Sequence, residues 1–444
     1  MIQTKDIPVL ARIFFPECRQ IFALSPDTNS NDQVTFWHCP QALQNALRLT
    51  ALPTVVINLK NAQHHFEGAL GTILGQASPN GRQYRQFPNP DGSIRWLAPA
   101  SQREPYFLQL YNGSGWRGRL LKALWSLTHR LRTPGLLAKG ILTVCSTQPN
   151  SVDECLTSGG YSHHALFTGT TGENRKAIIA LGHARRAEKF AKIPLTPAAK
   201  SLIASEGAVL DRLSRFEWNT LLIPQATVNT QGLLVSNVAP GRTKNGQELS
   251  PLHIQSLYQL YNRTNYTEQM KTSSFGLEME DTLHQLAAAP EHPEMDREVT
   301  SELIHLLQEG WERYPADHTL TLACAHGDFT PWNQFVTSQR VHLYDWELSA
   351  DLPLLYDAFH FIFQTGILVK RSKYSDILRS IQSLEKEPVV VAMLSEYQLS
   401  FWEAYHLYLL RHISYYLLRY LRQPNLHAQV YWMMNIWVEA LRRI

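Results

Sequence analysis

Cys324-Ala-His-Gly-Asp-Phe-Thr-Pro-Trp-Asn333 and, after a short interval, Tyr344-Asp-Trp-Glu347 are the stretches that decide how this chain is read. An apolar lead-in over residues 320–325 predicts a strand that runs into His326-Gly327-Asp328, and Asn333 follows Asp328 by five positions. Residues 334–337 and 341–344 flank a polar Ser-Gln-Arg turn and predict a β-hairpin, with Asp345 at the end of its second strand. A hairpin returns its far end to its beginning. Asp345 is therefore expected near Asn333 and Asp328, with two carboxylates and a carboxamide on one edge of the fold.

Magnesium–nucleotide chemistry needs this set. Mg²⁺ takes a few hard oxygen ligands in addition to substrate phosphates, which Asn333 and Asp345 can provide. A separate carboxylate, Asp328, can orient an attacking hydroxyl and accept its proton. His-Gly-Asp-x-x-x-x-Asn followed by a hydrophobic-Asp-Trp-Glu segment resembles the catalytic loop and metal-binding segment of the aminoglycoside phosphotransferase and choline kinase-like families. The resemblance covers roughly residues 160–420. It implies an α+β, two-lobed protein-kinase-like fold with a small β-rich lobe and a large helical lobe, here preceded by an additional N-terminal α/β region. It also implies ATP and Mg²⁺ as nucleotide and metal.

Further elements fall in the order the resemblance requires. Residues 164–168, 176–181 and 189–193 read as strands, and Gly169-Thr-Thr-Gly172 lies between the first two. Two glycines flanking a turn let backbone N–H groups approach phosphate oxygens, although the same turn suits an ordinary hairpin. Glu173 follows directly, a departure from the family's glycine loop. Lys192 sits in Phe-Ala-Lys-Ile, where an unpaired ammonium among apolar neighbours is costly. Residues 201–213 have helical periodicity and carry Glu206. The resemblance implies that Lys192 binds nucleotide phosphates and is held by Glu206; Lys189 and Lys200 lack the same strand context. Residues 221–224 and 233–241 resemble the last small-lobe strands and the hinge, which makes Ser236 to Val238 the candidates for backbone contact with adenine. His326 resembles the histidine that braces the catalytic loop. Asp357, ahead of an apolar helix over 358–368, fits the anchoring aspartate better than Asp351 does.

The organisation expected is an N-terminal α/β region over 1–150, a small lobe over 151–241 and a large helical lobe over 242–444. In the first of these, 9–15 and 54–59 read as strands and 41–52 as a helix. From 105 to 152 there is no Asp or Glu, while Arg117, Arg119, Lys122, Arg130, Arg132 and Lys139 are present. Trp116, Leu120, Leu124, Leu127 and Leu131 fall at helical spacing. The favoured reading is a helix whose apolar stripe packs on its own core. The second is peripheral contact with an anionic membrane through 114–133. Residues 250–317 are helical and acidic, which a solvated face explains. The aromatic stripe over 400–421 is read as core.

Composition sets the remaining bounds. With 41 Lys and Arg against 38 Asp and Glu, the formal charge of +3 gives no reason to expect nucleic acid as a partner. Five scattered cysteines, odd in number, suggest free thiols in a reducing compartment. No signal peptide and no apolar run of transmembrane length is seen, so a cytoplasmic protein is expected, with peripheral attachment at the inner membrane surface as the variant. The acceptor implied is a small-molecule hydroxyl, with a sugar, amino sugar or glycan preferred. A pseudokinase acting as a nucleotide-binding scaffold and a nucleotidyl transferase on the same fold stay open as alternatives.

Overall fold

A computed structural model describes most of residues 82–237, all of 248–444 except 424–425, and, before residue 82, only 7–14, 20–24, 34–37 and 54–58. The helix expected over 41–52 and the candidate Val238 lie outside the described residues. The chain divides into two units, residues 1–208 with 225–238, and residues 209–224 with 239–444.

The first unit is rich in sheet. Its elements are α1 (Ile7–Phe14), β1 (Gln20–Leu24), β2 (Thr35–Trp37), β3 (Thr54–Asn58), β4 (Arg82–Pro88), β5 (Ile94–Pro99), α2 (Trp116–Arg130), β6 (Ile141–Ser146), α3 (Ser151–Gly159), β7 (His163–Phe167), β8 (Lys176–His183), β9 (Arg186–Pro194) and α4 (Pro197–Leu213). The two-residue strand β10 (Leu221–Leu222) belongs to the second unit, and the first is completed by β11 (Ala226–Val228) and β12 (Leu234–Asn237). Eleven strands form one sheet in the order β11-β12-β9-β8-β7-β5-β4-β6-β3-β1-β2. Stretches read separately from sequence, before and after residue 150, thus share a single sheet. The join is the antiparallel pair β5–β7, where Trp96 faces Phe167 and Leu97 faces Leu166.

Alternation along the strands covers both faces of this sheet. Leu166, Ile179 and Leu181 enter one apolar cluster, and their neighbours Ala165 and Ala180 enter another. Helix α1 packs into the first cluster through Ile7, Leu10, Ala11 and Phe14. That i, i+3, i+4, i+7 spacing is the helical period. It corrects the strand expected over 9–15, an expectation drawn from a short apolar run with β-branched members.

The second unit is mainly helical: α5 (Pro251–Thr264), β13 (Tyr266–Gln269), α6 (Ser274–Ala287), α7 (Arg297–Glu312), β14 (Thr319–Ala325), β15 (Gln334–Val336), β16 (Val341–Leu343), β17 (Ala350–Pro353), α8 (Tyr356–Gln364), α9 (Tyr374–Glu385), α10 (Pro388–Glu396), α11 (Phe401–Leu421) and α12 (Gln429–Arg442). Two three-stranded sheets, β10-β16-β15 and β13-β14-β17, carry the loops of interest. Strand β10 pairs in parallel with β16, Leu221 facing Val341. It is therefore not a strand of the large sheet, as residues 221–224 were expected to be; its partner is remote in sequence and leaves no local trace.

Helix α11 buries Phe401, Tyr405, Leu409 and Ile413 at helical spacing, so this aromatic stripe is core. Caps fix several helix starts: the Ser273 hydroxyl accepts the Gly276 N–H at 2.9 Å, and Asp296 accepts the N–H groups of Glu298 and Val299. Most of the acidic residues of 278–312 are exposed, and Glu278 accepts a hydrogen bond from the buried Arg411 at 2.6 Å. Among the described residues no helix is long and apolar enough to cross a membrane.

Candidate active site

Strand β14 delivers the site in the second unit. Its last four residues, Leu322 to Ala325, are fully buried between β13 and β17. The chain then leaves the sheet at His326-Gly327-Asp328. Gly327 has φ +79°, and a Cβ there would lie 2.0 Å from the carbonyl oxygen of Leu348. Both facts demand glycine. Replacing Gly327 with alanine is expected to cost at least about 1–2 kcal/mol from backbone strain alone, read as a lowered thermal unfolding midpoint with loss of activity.

Asp357, in the first turn of α8, anchors the loop. One carboxylate oxygen accepts the His326 N–H at 2.7 Å and the other accepts the Gly327 N–H at 3.0 Å. Burial pushes this carboxyl above the ordinary range, while the backbone N–H groups of His326 and Gly327 pull it back. Asp351, the competing aspartate, instead pairs with Arg212 at 3.1 Å.

The buried His326 ring ties the loop to the following segment. Its Nε2 lies 3.0 Å from the carbonyl oxygen of Tyr344, and its Nδ1 accepts the Asp328 N–H at 3.2 Å. Those two bonds assign the neutral Nε2–H tautomer. With both nitrogens held by main chain, the ring positions rather than carries protons.

Hairpin pairing puts Asp345 beside the loop. Gln334 faces Leu343 in the β15–β16 ladder, and the Tyr344 N–H donates to the Asn333 carbonyl at 3.1 Å. Asp345 then adopts φ 68° and ψ 59°, a left-handed conformation uncommon for a non-glycine residue. Such strain persists where the surroundings enforce it and clusters at functional sites. Oxygens of Asp345 and Glu347 lie within 4.8 Å of one another.

Asp328 itself is gripped at both oxygens. Oδ2 accepts the Asn333 amide at 2.8 Å, and Oδ1 lies 3.1 Å from His360 Nε2. The same Asn333 nitrogen also donates to the Asp328 carbonyl. Its bonds therefore occupy the nitrogen and leave the amide oxygen as a hard donor. Three oxygen-bearing groups, Asn333, Asp345 and Glu347, suit Mg²⁺ and suit soft metals poorly. The carboxylate of Asp328 keeps a quarter of its surface exposed, whereas the His360 side chain is wholly buried.

His360 is the site residue that sequence reading missed. It lies three positions after Asp357, so both side chains project from one face of α8. That spacing was available as a signal, but the aromatic neighbours Phe359, Phe361 and Phe363 make the segment read as plain core. Behind it His412 is fully buried, its ring 5.3 Å away, and burial holds its pKa well below the ordinary imidazole range. Removing one hydrogen bond to a charged group costs about 1.5–3 kcal/mol. His360→Ala is therefore expected to lower any turnover that depends on Asp328 about 10- to 100-fold, and His360→Asn to recover part of it in the same kinetic assay.

The first unit holds the other candidates. Lys192 lies in β9 between Ile178 and Leu234. Its Nζ donates to Glu206 Oε1 at 2.8 Å and Oε2 at 2.6 Å, with both residues buried. Gly169 and Gly172 lie in the β7–β8 connection. Gly169 has φ +78°, and a Cβ there would meet the Lys176 carbonyl oxygen at 2.0 Å, so the hairpin itself requires this glycine. Gly172 has φ +154° and open space around it. Ser236 is flanked by Ala226 of β11 and Phe190 of β9, which commits its main-chain groups to the sheet.

No protein-family model matches the chain, and no curated protein matches it. Among solved structures it is similar to aminoglycoside phosphotransferases, a macrolide phosphotransferase and a choline kinase. The ADP-bound aminoglycoside phosphotransferase APH(2'')-Ib is 10% identical over 66% of this chain and 96% of its own, with a TM-score of 0.42. Macrolide 2'-phosphotransferase MphH from Brachybacterium faecium is 14% identical over 66% and 97%, with a TM-score of 0.38. Choline kinase LicA from Streptococcus pneumoniae is 10% identical over 66% and 98%, with a TM-score of 0.40.

Proposed function

We propose that this chain is a phosphotransferase that moves the γ-phosphoryl group of ATP to a hydroxyl of a small molecule, with a sugar, amino sugar or glycan as the acceptor class. The observation that carries this reading is the Asp328 carboxylate, partly exposed yet fixed at Oδ2 by Asn333 and at Oδ1 by His360. A carboxylate so oriented accepts a hydrogen bond from the acceptor hydroxyl and takes its proton as the oxygen bonds to the γ-phosphorus. The bond from that phosphorus to the β–γ bridging oxygen breaks, and ADP leaves.

Asn333 and Asp345, with Glu347 beside the latter, are the residues that would hold Mg²⁺. Held there, such an ion would supply neutralisation of phosphate charge. Lys192, with Glu206 keeping its ammonium in place, is assigned to the nucleotide phosphates. His326 and Asp357 hold the loop geometry on which these roles depend. Positioning and charge neutralisation supply most of the rate in such a site.

The test is incubation of the pure protein with ATP, Mg²⁺ and a fractionated extract of polar and lipid-linked metabolites, followed by mass analysis, with Asp345→Ala as control. One compound gaining a phosphoryl group only with the intact protein supports the reading and identifies the acceptor. ATP binding without any modified compound favours a nucleotide-binding scaffold.

A further inference from the structure

Helix α2 has two apolar faces, and only one of them is used inside the first unit. Inward, Trp125 is buried with its ring 4.8 Å from Phe107 and 5.6 Å from Phe87, and the half-buried Leu121 packs against the same cluster. Outward, Leu120, Leu124, Leu127 and Leu131 remain 53%, 43%, 50% and 64% exposed. At about 100° per residue these four fall within roughly 60° of arc, forming one continuous stripe. Leu131 prolongs the helix by donating its N–H to the Leu127 carbonyl at 2.9 Å. The stripe expected to pack on the core is thus on the surface. Its leucines are contiguous, unlike the scattered apolar residues of an ordinary surface.

Charge identifies what the stripe meets. Lys122 and Arg130 are exposed on the same helix. Residues 105–152 carry six Lys and Arg and no Asp or Glu, while the rest of the chain has 38 acidic residues against the remaining 35 basic ones. Basic charge is therefore concentrated in the segment that carries the leucines, on a chain that is otherwise slightly acidic. At the same angular step the exposed Arg130 flanks the stripe, while the exposed Lys122 lies on the far side of the helix. An exposed leucine stripe edged by Arg130, in a segment with cations and no anion, complements a surface that is apolar below and anionic above.

We infer that α2 docks this protein on an anionic lipid surface, Leu120, Leu124, Leu127 and Leu131 entering the acyl boundary and Arg130 at the edge of the stripe meeting lipid phosphates. The inference is independent of the reaction proposed above. The experiment is vesicle flotation of the full-length protein at low ionic strength, using phosphatidylcholine vesicles with and without about a third phosphatidylglycerol. Binding is expected only to the anionic vesicles, with at least a tenfold fall in partitioning between low and high salt. Leu124→Glu/Leu127→Glu and Arg130→Glu, all at exposed positions, are each expected to lower partitioning at least tenfold with unfolding midpoints unchanged. Equal flotation of the variants and the parent protein, or no flotation of the parent, overturns the inference. So does a concentration-dependent dimer that Leu124→Glu/Leu127→Glu dissolves while vesicles bind neither form.

Discussion

Asp328→Asn is expected to lower kcat for the proposed phosphoryl transfer by about 10²- to 10⁴-fold, the span that a positioned general base contributes, and to leave Mg-ATP affinity within about twofold of the parent protein. The two parts of this expectation come from different atoms. The carboxylate is held by Asn333 and His360 and shows a quarter of its surface, which is the arrangement of a group that receives a proton. Metal and nucleotide are assigned elsewhere, to Asn333, Asp345 and Lys192, so their binding survives the substitution. Asparagine preserves shape and, with its amide oxygen turned toward Asn333, still accepts that residue's amide N–H, which protects the loop. Single-turnover kinetics paired with calorimetric titration of Mg-ATP checks both parts. Full turnover by Asp328→Asn would mean that the wrong aspartate has been assigned.

The second large effect concerns Lys192 and Glu206, and it separates stability from chemistry. Two hydrogen bonds of 2.8 and 2.6 Å join a buried ammonium to a buried carboxylate. Removing one partner leaves a desolvated charge, so Glu206→Leu is expected to destabilise the protein by about 3–5 kcal/mol. Replacing both by apolar residues of similar size removes the charge along with its partner. Lys192→Met/Glu206→Leu should therefore recover most of the stability, since such exchanges are often neutral. It should not recover the proposed phosphoryl transfer, because the cation assigned to the phosphates is gone. Chemical denaturation measured beside kcat/KM for ATP distinguishes the cases. A double variant that is both stable and fully active would make the pair a structural element only.

How much of this was legible depends on where each constraint lies. Strand β14, the loop at Asp328, the hairpin and Asp345 were readable because each element announces itself locally: an apolar run, a Gly between His and Asp, a polar turn, a carboxylate at the strand end. Lys192 is legible because an ammonium in an apolar strand demands a partner, and the family resemblance implies Glu206, on the following helix, as that partner.

Other features depend on what lies across from a residue, which sequence spacing does not report. The two residues of β10 pair with β16, more than a hundred positions on. His360 reads as part of an aromatic core helix until Asp328 is seen 3.1 Å away. In α2 the period shows that a leucine stripe exists but not whether anything covers it. The helix over Ile7–Phe14 is a different case: its spacing is helical, but a short apolar run reads equally well as a strand.

The most direct measurement of the central claim is transfer from ATP labelled separately at the α and γ phosphates, with the acceptor and Mg²⁺ present and Asp328→Asn run beside the parent protein. Phosphoryl transfer predicts product labelled from the γ position only, at a rate that collapses in the variant. Label arriving from the α position would show nucleotidyl transfer, and the account of Asp328 as the base that delivers a hydroxyl to the γ-phosphorus would be contradicted.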